Sequence, residues 1–271
     1  PLADKERIAI FGISQVDFIH GGGGSGNFES EYYVSLYQGL QEKEKAGRLS
    51  LYKDLYDTYR KYYDDCWKTN ISYAYGTRQG AILRKYGELA LTADQVTAAR
   101  KNADTAIINI GRPAGEDTDR ANKQGDFLLS DAETDLIAKV KAAGFGKVVV
   151  VLNVTGVMDT TWFADDDAID AVLLVYLPGM VGGNAMADVL CGDAYPSGKL
   201  IDTWAKRYED YPSSKNFGDW NHTKYEEDIF VGYRYFETIP GASDKVAYEF
   251  GYGLSYADFE IGDVIVRVKG E

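Results

Sequence analysis

Apolar residues along this chain of 271 residues gather into short, nearly uninterrupted runs separated by polar stretches of helical periodicity. Arg7 to Gly12, "RIAIFG", is the first such run and has the length of a buried strand. "TAIINIG", Thr105 to Gly111, is a second, ending at a glycine. "SDAETDLIAKVKAAG" follows it, opening on Ser130 with Glu133 three residues on, which is a capping box, and closing at Gly144. Leu136, Ile137 and Val140 give that helix its apolar face. "KVVVVLN", Lys147 to Asn153, is apolar on both alternating faces, as a strand covered on both sides must be, and "AIDAVLLVYLPG" repeats the pattern. "GGNAMADVLCG" reads as a short helix and "GKLIDTW" as a further strand. Alternation of this kind predicts a three-layer αβα sandwich, an α/β fold with a mainly parallel sheet. Residues 50–100 are less regular. Tyr52, Leu55, Tyr56, Tyr59, Tyr62 and Tyr63 form an aromatic helical stripe, the pattern of a core or an interface.

One stretch does not fit the strand–helix alternation. "HGGGGSGNFESEYY", His20 to Tyr33, lies between the first strand and a helix predicted from the spacing of Tyr33, Leu36, Tyr37 and Leu40. Gly/Ser runs are commonly flexible tethers, but a tether joins two independent units and only twenty residues precede this one. Gly21, Gly23 and Gly26 also spell G-x-G-x-x-G, with Glu42 or Glu44 near the position of a ribose-binding acid. That fingerprint needs its first glycine directly after the strand, and "ISQVDFIH" intervenes. No lysine follows the glycines, so the pattern of a P-loop fails. What remains is a loop whose bare backbone can approach a ligand closely.

Composition narrows the chemistry. Hydrophobic residues make up 45% of the chain, which is ordinary for a folded domain. A formal net charge of −13 argues against nucleic acid and against an anionic membrane surface as partners. No apolar run has the length of a membrane span, and "PLADKERIAI" is neither a signal peptide nor an initiator-methionine start. That start suggests a processed chain and leaves the compartment open, with the cytoplasm favoured. Cys66 and Cys191 are isolated and are expected to be buried and reduced. With only His20 and His222 present, neither a zinc site nor another metal or cofactor is expected, and no G-x-S-x-G elbow supports a serine hydrolase. Acid–base chemistry here must rest on carboxylates.

Ligands of open α/β sheets sit beyond the carboxyl ends of the strands. Three segments lie there: the glycine loop, "GRPAGEDTDR" after Thr105–Ile110, and the residues after Asn153. In the second, Glu116, Asp117 and Asp119 crowd between Arg112 and Arg120. Such crowding can shift the pKa of a carboxyl, while composition alone favours a charged surface turn.

The blocks "GRPAGEDTDR…GDFLLSDAETDLI", "VVVVLN", "LPGMVGGNAMADVLCGDAYPSGKLIDTW", "IFVGYRYFE" and "YEFGYGLSY", together with the "GGGGSG" loop, resemble in order the C-terminal α/β sandwich domain of glycoside hydrolase family 3. The resemblance runs from about Arg7 to Phe259. It implies a part of a retaining β-glycosidase, most often a β-glucosidase, acting on a β-linked gluco-oligosaccharide or an aryl β-glucoside. In that family a TIM-type barrel of the same enzyme supplies the aspartate nucleophile, and the sandwich supplies the general acid/base from a G-E-G-x-D-R-like loop. Carried over, the catalytic residue is Glu116, and Gly23, Gly24 and Ser25 form a substrate-binding wall. Asp117 replaces the second glycine of the acid loop, and its charge is expected to raise the pKa of Glu116.

"GDW", Gly218 to Trp220, superficially matches the family's nucleophile motif but falls in an irregular segment. The expected division is a sandwich domain over 1–259, with 260–271 opening a linker or a fibronectin-type domain. With the sandwich so near the start, a parent of reversed order, with the barrel downstream, is one expectation, and a barrel that precedes the sandwich stays open. The isolated chain is expected to fold but not to hydrolyse glycosides, and its tyrosine-rich 50–75 segment is a candidate for the surface facing the barrel. Two other readings are a non-catalytic carbohydrate-binding or interface module and, more remotely, a nucleotide-binding oxidoreductase domain.

Overall fold

Successive residues of the central strands face opposite ways, and that alternation sorts the core into two layers. The computed structural model describes residues 1–69, 77–113, 115–116, 119–216, 218–219, 221–258, 260, 262–263 and 265–266. Strands β1 (Glu6–Phe11), β2 (Leu49–Leu51), β3 (Thr105–Arg112), β4 (Lys147–Val154) and β5 (Ala171–Leu174) form one parallel sheet in the order β2-β1-β3-β4-β5. Ala9, Phe11, Ile108, Ile110, Val150 and Leu152 face one side. They meet α2 (Lys53–Trp67), α3 (Arg78–Tyr86), α4 (Ala93–Asn102) and α5 (Asp131–Ala143). Ile8, Ile10, Ile107, Val149 and Val151 face the other, against α1 (Leu36–Lys45) and α6 (Gly182–Cys191). The αβα sandwich is thus present, and Ser130 and Gly144 bound α5 as expected, with Gly144 left-handed.

Helices α1 and α6 touch backbone to backbone. A Cβ on Gly39 would lie 2.0 Å from the Gly183 carbonyl oxygen, and one on Gly183 the same distance from that of Ser35. Val34 N–H donates to Met180 O, and Gly183 N–H to Val34 O. Gly39 of α1 and Gly183 of α6 therefore set how closely these helices approach.

Three expectations change. Strand β5 lies at the sheet edge, where Ala171 and Val172 are exposed, because no further strand among the described residues pairs with it. Of "GKLIDTW" only Trp204 enters a strand, β6 (Trp204–Ala205). It pairs antiparallel with β7 (Val246–Tyr248), beside the short helix α7 (Tyr233–Thr238). Over its described part the tyrosine stripe divides: α2 turns Leu55, Tyr59 and Tyr63 onto the sheet, where Tyr59 is fully buried, while Tyr52, Tyr56 and Tyr62 stay half-buried. Residues 70–75 lie outside the described residues. Cys66 and Cys191 are free and buried, on opposite faces of the sheet.

Two buried polar braces hold the ends of β1 and β3. Arg112 sits at the end of β3 with its guanidinium 2% exposed, paired twice with Glu133 at 2.6 and 2.8 Å. It also donates to the carbonyls of Gly111, Asp126 and Leu128. All five of its N–H groups are thereby used. Beside it the fully buried Glu88 accepts from the Ile13 amide at 3.0 Å and the Leu89 amide at 2.8 Å. Burial pushes the Glu88 carboxyl up to about 8, assisted by the Glu133 charge and opposed by these two amides and by Arg112.

Replacing Arg112 by Met should cost about 3–5 kcal/mol in urea unfolding, since Glu133 is left buried without its counter-charge. A loss under about 1 kcal/mol would mean that the pair is not a brace. Glu88 gives a pH signature. Folded, it keeps its proton up to about pH 8, whereas an unfolded glutamate loses it near 4.5. Stability is therefore greatest below pH 4.5 as far as this group is concerned, and falls by a few kcal/mol, to order of magnitude, as pH rises to 8. Thermal melts should show Glu88→Gln flattening that decline. Parallel profiles for the two proteins would contradict it.

Candidate active site

Strand order places the site before any side chain is considered. From β1 the chain passes to β2 on one side and later to β3 on the other, so the winding direction reverses between β1 and β3. The loops leaving the carboxyl ends of these two strands diverge to opposite faces and leave a crevice between them. One is the glycine loop and the other carries Glu116.

Each loop is tied down from beneath. Gly12, at φ +96°, turns the chain out of β1 so close to β3 that a Cβ would lie 2.1 Å from the Asn109 carbonyl oxygen. Asn153, at the end of β4, then grips the first loop through the Ile19 amide at 2.7 Å and the Ile19 carbonyl at 3.0 Å. Buried His20 stacks on Tyr33 with centroids 3.7 Å apart and meets Phe28 edge-on, so the residues flanking the glycines close on each other. Tyr33 itself precedes α1, whose cap is Ser35. Burial lowers the pKa of His20, with Asp17 acting against it.

The second loop is anchored by Arg120. This largely buried side chain donates to Pro113 O, to Asp126 at 2.9 Å and to Thr155 O at 2.8 Å. Asp126 also accepts from the Ala121 amide. Both arginines of "GRPAGEDTDR" are therefore loop anchors, which composition alone could not separate from a solvated charge cluster.

Between these anchors the loops meet. Gly23 and Gly115 form an isolated parallel bridge. Gly24 to Gly26 make one 3₁₀ turn, and Glu116 lies against it. The Ser25 amide donates to Glu116 Oε1 at 3.2 Å, and the Ser25 hydroxyl donates to the same oxygen. All four residues named from the sequence, Gly23, Gly24, Ser25 and Glu116, are thus in one place.

The Glu116 carboxyl is fully exposed, and its pKa is lowered by the Ser25 hydroxyl first and the Ser25 amide second. This is opposite to the rise expected from Asp117, which lies outside the described residues. Glu116 as it stands is therefore held in its ionised form, without the proton that an acid catalyst must give. Asp219 has a local role: its Oδ1 accepts from the amides of Asn221 and His222, forming a turn. Trp220 of that motif lies outside the described residues.

No group of three His, Cys, Asp or Glu side chains suited to a metal occurs among the described residues. A concavity of about 740 Å³ lies elsewhere, lined by Ile137, Lys141, Trp162 and Asp166, and none of the four loop residues borders it. Glu116 stands on an open shelf instead.

Comparison with known proteins agrees with this layout. The sequence pattern of the Glycosyl hydrolase family 3 C-terminal domain matches residues 1–256. Beta-glucosidase A of Butyrivibrio fibrisolvens is 43% identical over 97% of this chain and 33% of its own length. Beta-glucosidase of Ruminococcus albus is 40% identical over 96% of this chain and 26% of its own. Among solved structures, a beta-glucosidase from Paenibacillus barengoltzii superposes with a TM-score of 0.84 at 38% identity, over 95% of this chain and 27% of that one. Beta-glucosidase 3B from Thermotoga neapolitana, in complex with glucose, gives 0.83 at 37%, over 96% and 36%. The chain spans a third or less of the two curated relatives' lengths. With its fold, its strand-end loops and these matches in agreement, the chain belongs to the glycosyl hydrolase family 3 C-terminal domain family.

Proposed function

We propose that this chain is the acid/base half of a retaining β-glucosidase, with Glu116 as the general acid/base. The observation that carries the reading is the meeting of Glu116 with Gly23–Ser25 at the reversal between β1 and β3. The names of the relatives give the substrate class, a terminal β-linked glucoside. A retaining mechanism needs two carboxyls about 5–5.5 Å apart, one to attack the anomeric carbon and one to protonate the leaving oxygen. Glu116 takes the second role, and a TIM-type barrel of the same enzyme takes the first.

Exposure of Glu116 supports a site completed from outside. An acid catalyst must hold its proton near working pH, and a solvated carboxylate beside two donors does not. Covering the shelf would desolvate Glu116, and a nucleophile carboxylate alongside would repel its charge. Both push the pKa up, and loss of the proton to the leaving oxygen lets Glu116 act next as base toward water.

In the intact enzyme, Glu116→Ala should lower turnover of alkyl glucosides about 10²–10⁴-fold. Activated aryl glucosides should lose less, and azide should rescue the second step. Equal loss on both, without rescue, would favour the alternative of a binding or interface module. The isolated chain should show no turnover above a Glu116→Gln control. Glu116-dependent hydrolysis by this chain alone would place the nucleophile within it.

A further inference from the structure

Ser25 was expected to meet sugar hydroxyls, yet both of its donors are directed at one atom of the protein. Its hydroxyl and its amide converge on Glu116 Oε1. The neighbouring Gly24 has φ +67°, and a Cβ there would lie 2.6 Å from Glu116 Oε2 and 2.7 Å from Cδ. The carboxylate thus rests on the bare face of Gly24 while Ser25 holds one of its oxygens. Under it the two loops are pressed together at the Gly23–Gly115 bridge, where a Cβ on Gly115 would come 2.7 Å from the Cα and N of Gly23. Gly24 and Ser25 therefore fit the other loop's carboxylate, and Gly23 fits the backbone beside it at Gly115.

We infer that Gly24 and Ser25 form a seat for the Glu116 carboxylate, with Ser25 a positioning residue that acts on the reaction through Glu116. The inference rests on the reading of Glu116 as acid/base. A hydroxyl has one proton to give, so while Ser25 donates to Glu116 it can meet a sugar only as an acceptor. Two donors on Oε1 make that oxygen the weaker base, so the transferable proton is carried on Oε2. In the first step the Oε2–H bond breaks as a bond from that proton to the glycosidic oxygen forms. The electron pair of the glycosidic C–O bond leaves with that oxygen, the barrel's nucleophile carboxylate bonds to the anomeric carbon, and the negative charge stays on Glu116. Ser25 stabilises the charge where it appears. It assists the acid step and opposes the base step that follows.

The test compares pH profiles of kcat/KM in the intact enzyme for Ser25→Ala, Ser25→Thr and Gly24→Ala, with Glu116→Ala alongside. Removing the Ser25 hydroxyl takes away the larger stabilisation of the ionised carboxylate, so the alkaline limb of Ser25→Ala should move to higher pH. At the optimum, kcat/KM for an alkyl glucoside should fall roughly ten-fold, and less for 4-nitrophenyl glucoside. Ser25→Thr should restore the limb. Gly24→Ala, which displaces the carboxylate, should lower kcat. An unmoved limb in Ser25→Ala, with or without a raised KM, overturns the seat while Glu116→Ala keeps its leaving-group-selective loss. Wild-type kcat in Gly24→Ala overturns it equally. Loss of that selectivity in Glu116→Ala instead removes Glu116 itself, and the seat with it.

Discussion

The reversal of winding between β1 and β3 is the constraint on which the rest of this structure depends. A parallel sheet wound in one direction would carry both loops to the same face. Because the chain departs from β1 toward β2 and returns to β3 on its other side, the two loops open away from each other at the carboxyl edge. Glycine at position 12 allows the first loop to leave within contact of β3, and the glycines at 23 and 115 let the loops meet again above the crevice. Side-chain chemistry is then added to a gap that the backbone has already made.

Buried and exposed charges divide the tasks. Arg112, Glu133, Arg120 and Asp126 are shielded from water and occupied by hydrogen bonds, so they hold loop ends in place. Glu116 is the opposite case, a solvated carboxylate. Under the proposed role, the desolvation that raises the Glu116 pKa would come from the covering barrel and not from this domain's own core.

Local signals made much of the fold legible. The uniformly apolar "KVVVVLN" could only be an interior strand, and Ser130 with Glu133 marked the start of α5. Where the outcome depended on partners distant in sequence, the same kind of reading failed. An apolar run cannot say whether another strand will lie beside it, so β5 was misread as fully covered. "GKLIDTW" looked like a strand of the main sheet, but only Trp204 pairs, and with a segment more than forty residues downstream. Helical spacing identified the tyrosine stripe of α2 but not the direction it faces. For the site, the family resemblance picked out Glu116 and the glycine loop, whereas their mutual contact joins residues ninety-one positions apart. No periodicity carries that information, and the direction of the Glu116 shift could not be foreseen without it.

Glu133 belongs to two structures at once. Its carboxylate accepts from the Ser130 amide and hydroxyl, closing the first turn of α5, and the same carboxylate neutralises Arg112 at the end of β3. Neither arrangement can loosen while the other stays intact. Fraying of the helix start and opening of the acid loop are consequently one cooperative event, with amides in both exchanging their hydrogens through a shared opening. The end of β3 that leads into the acid loop and the first turn of α5 are thus held by one carboxylate.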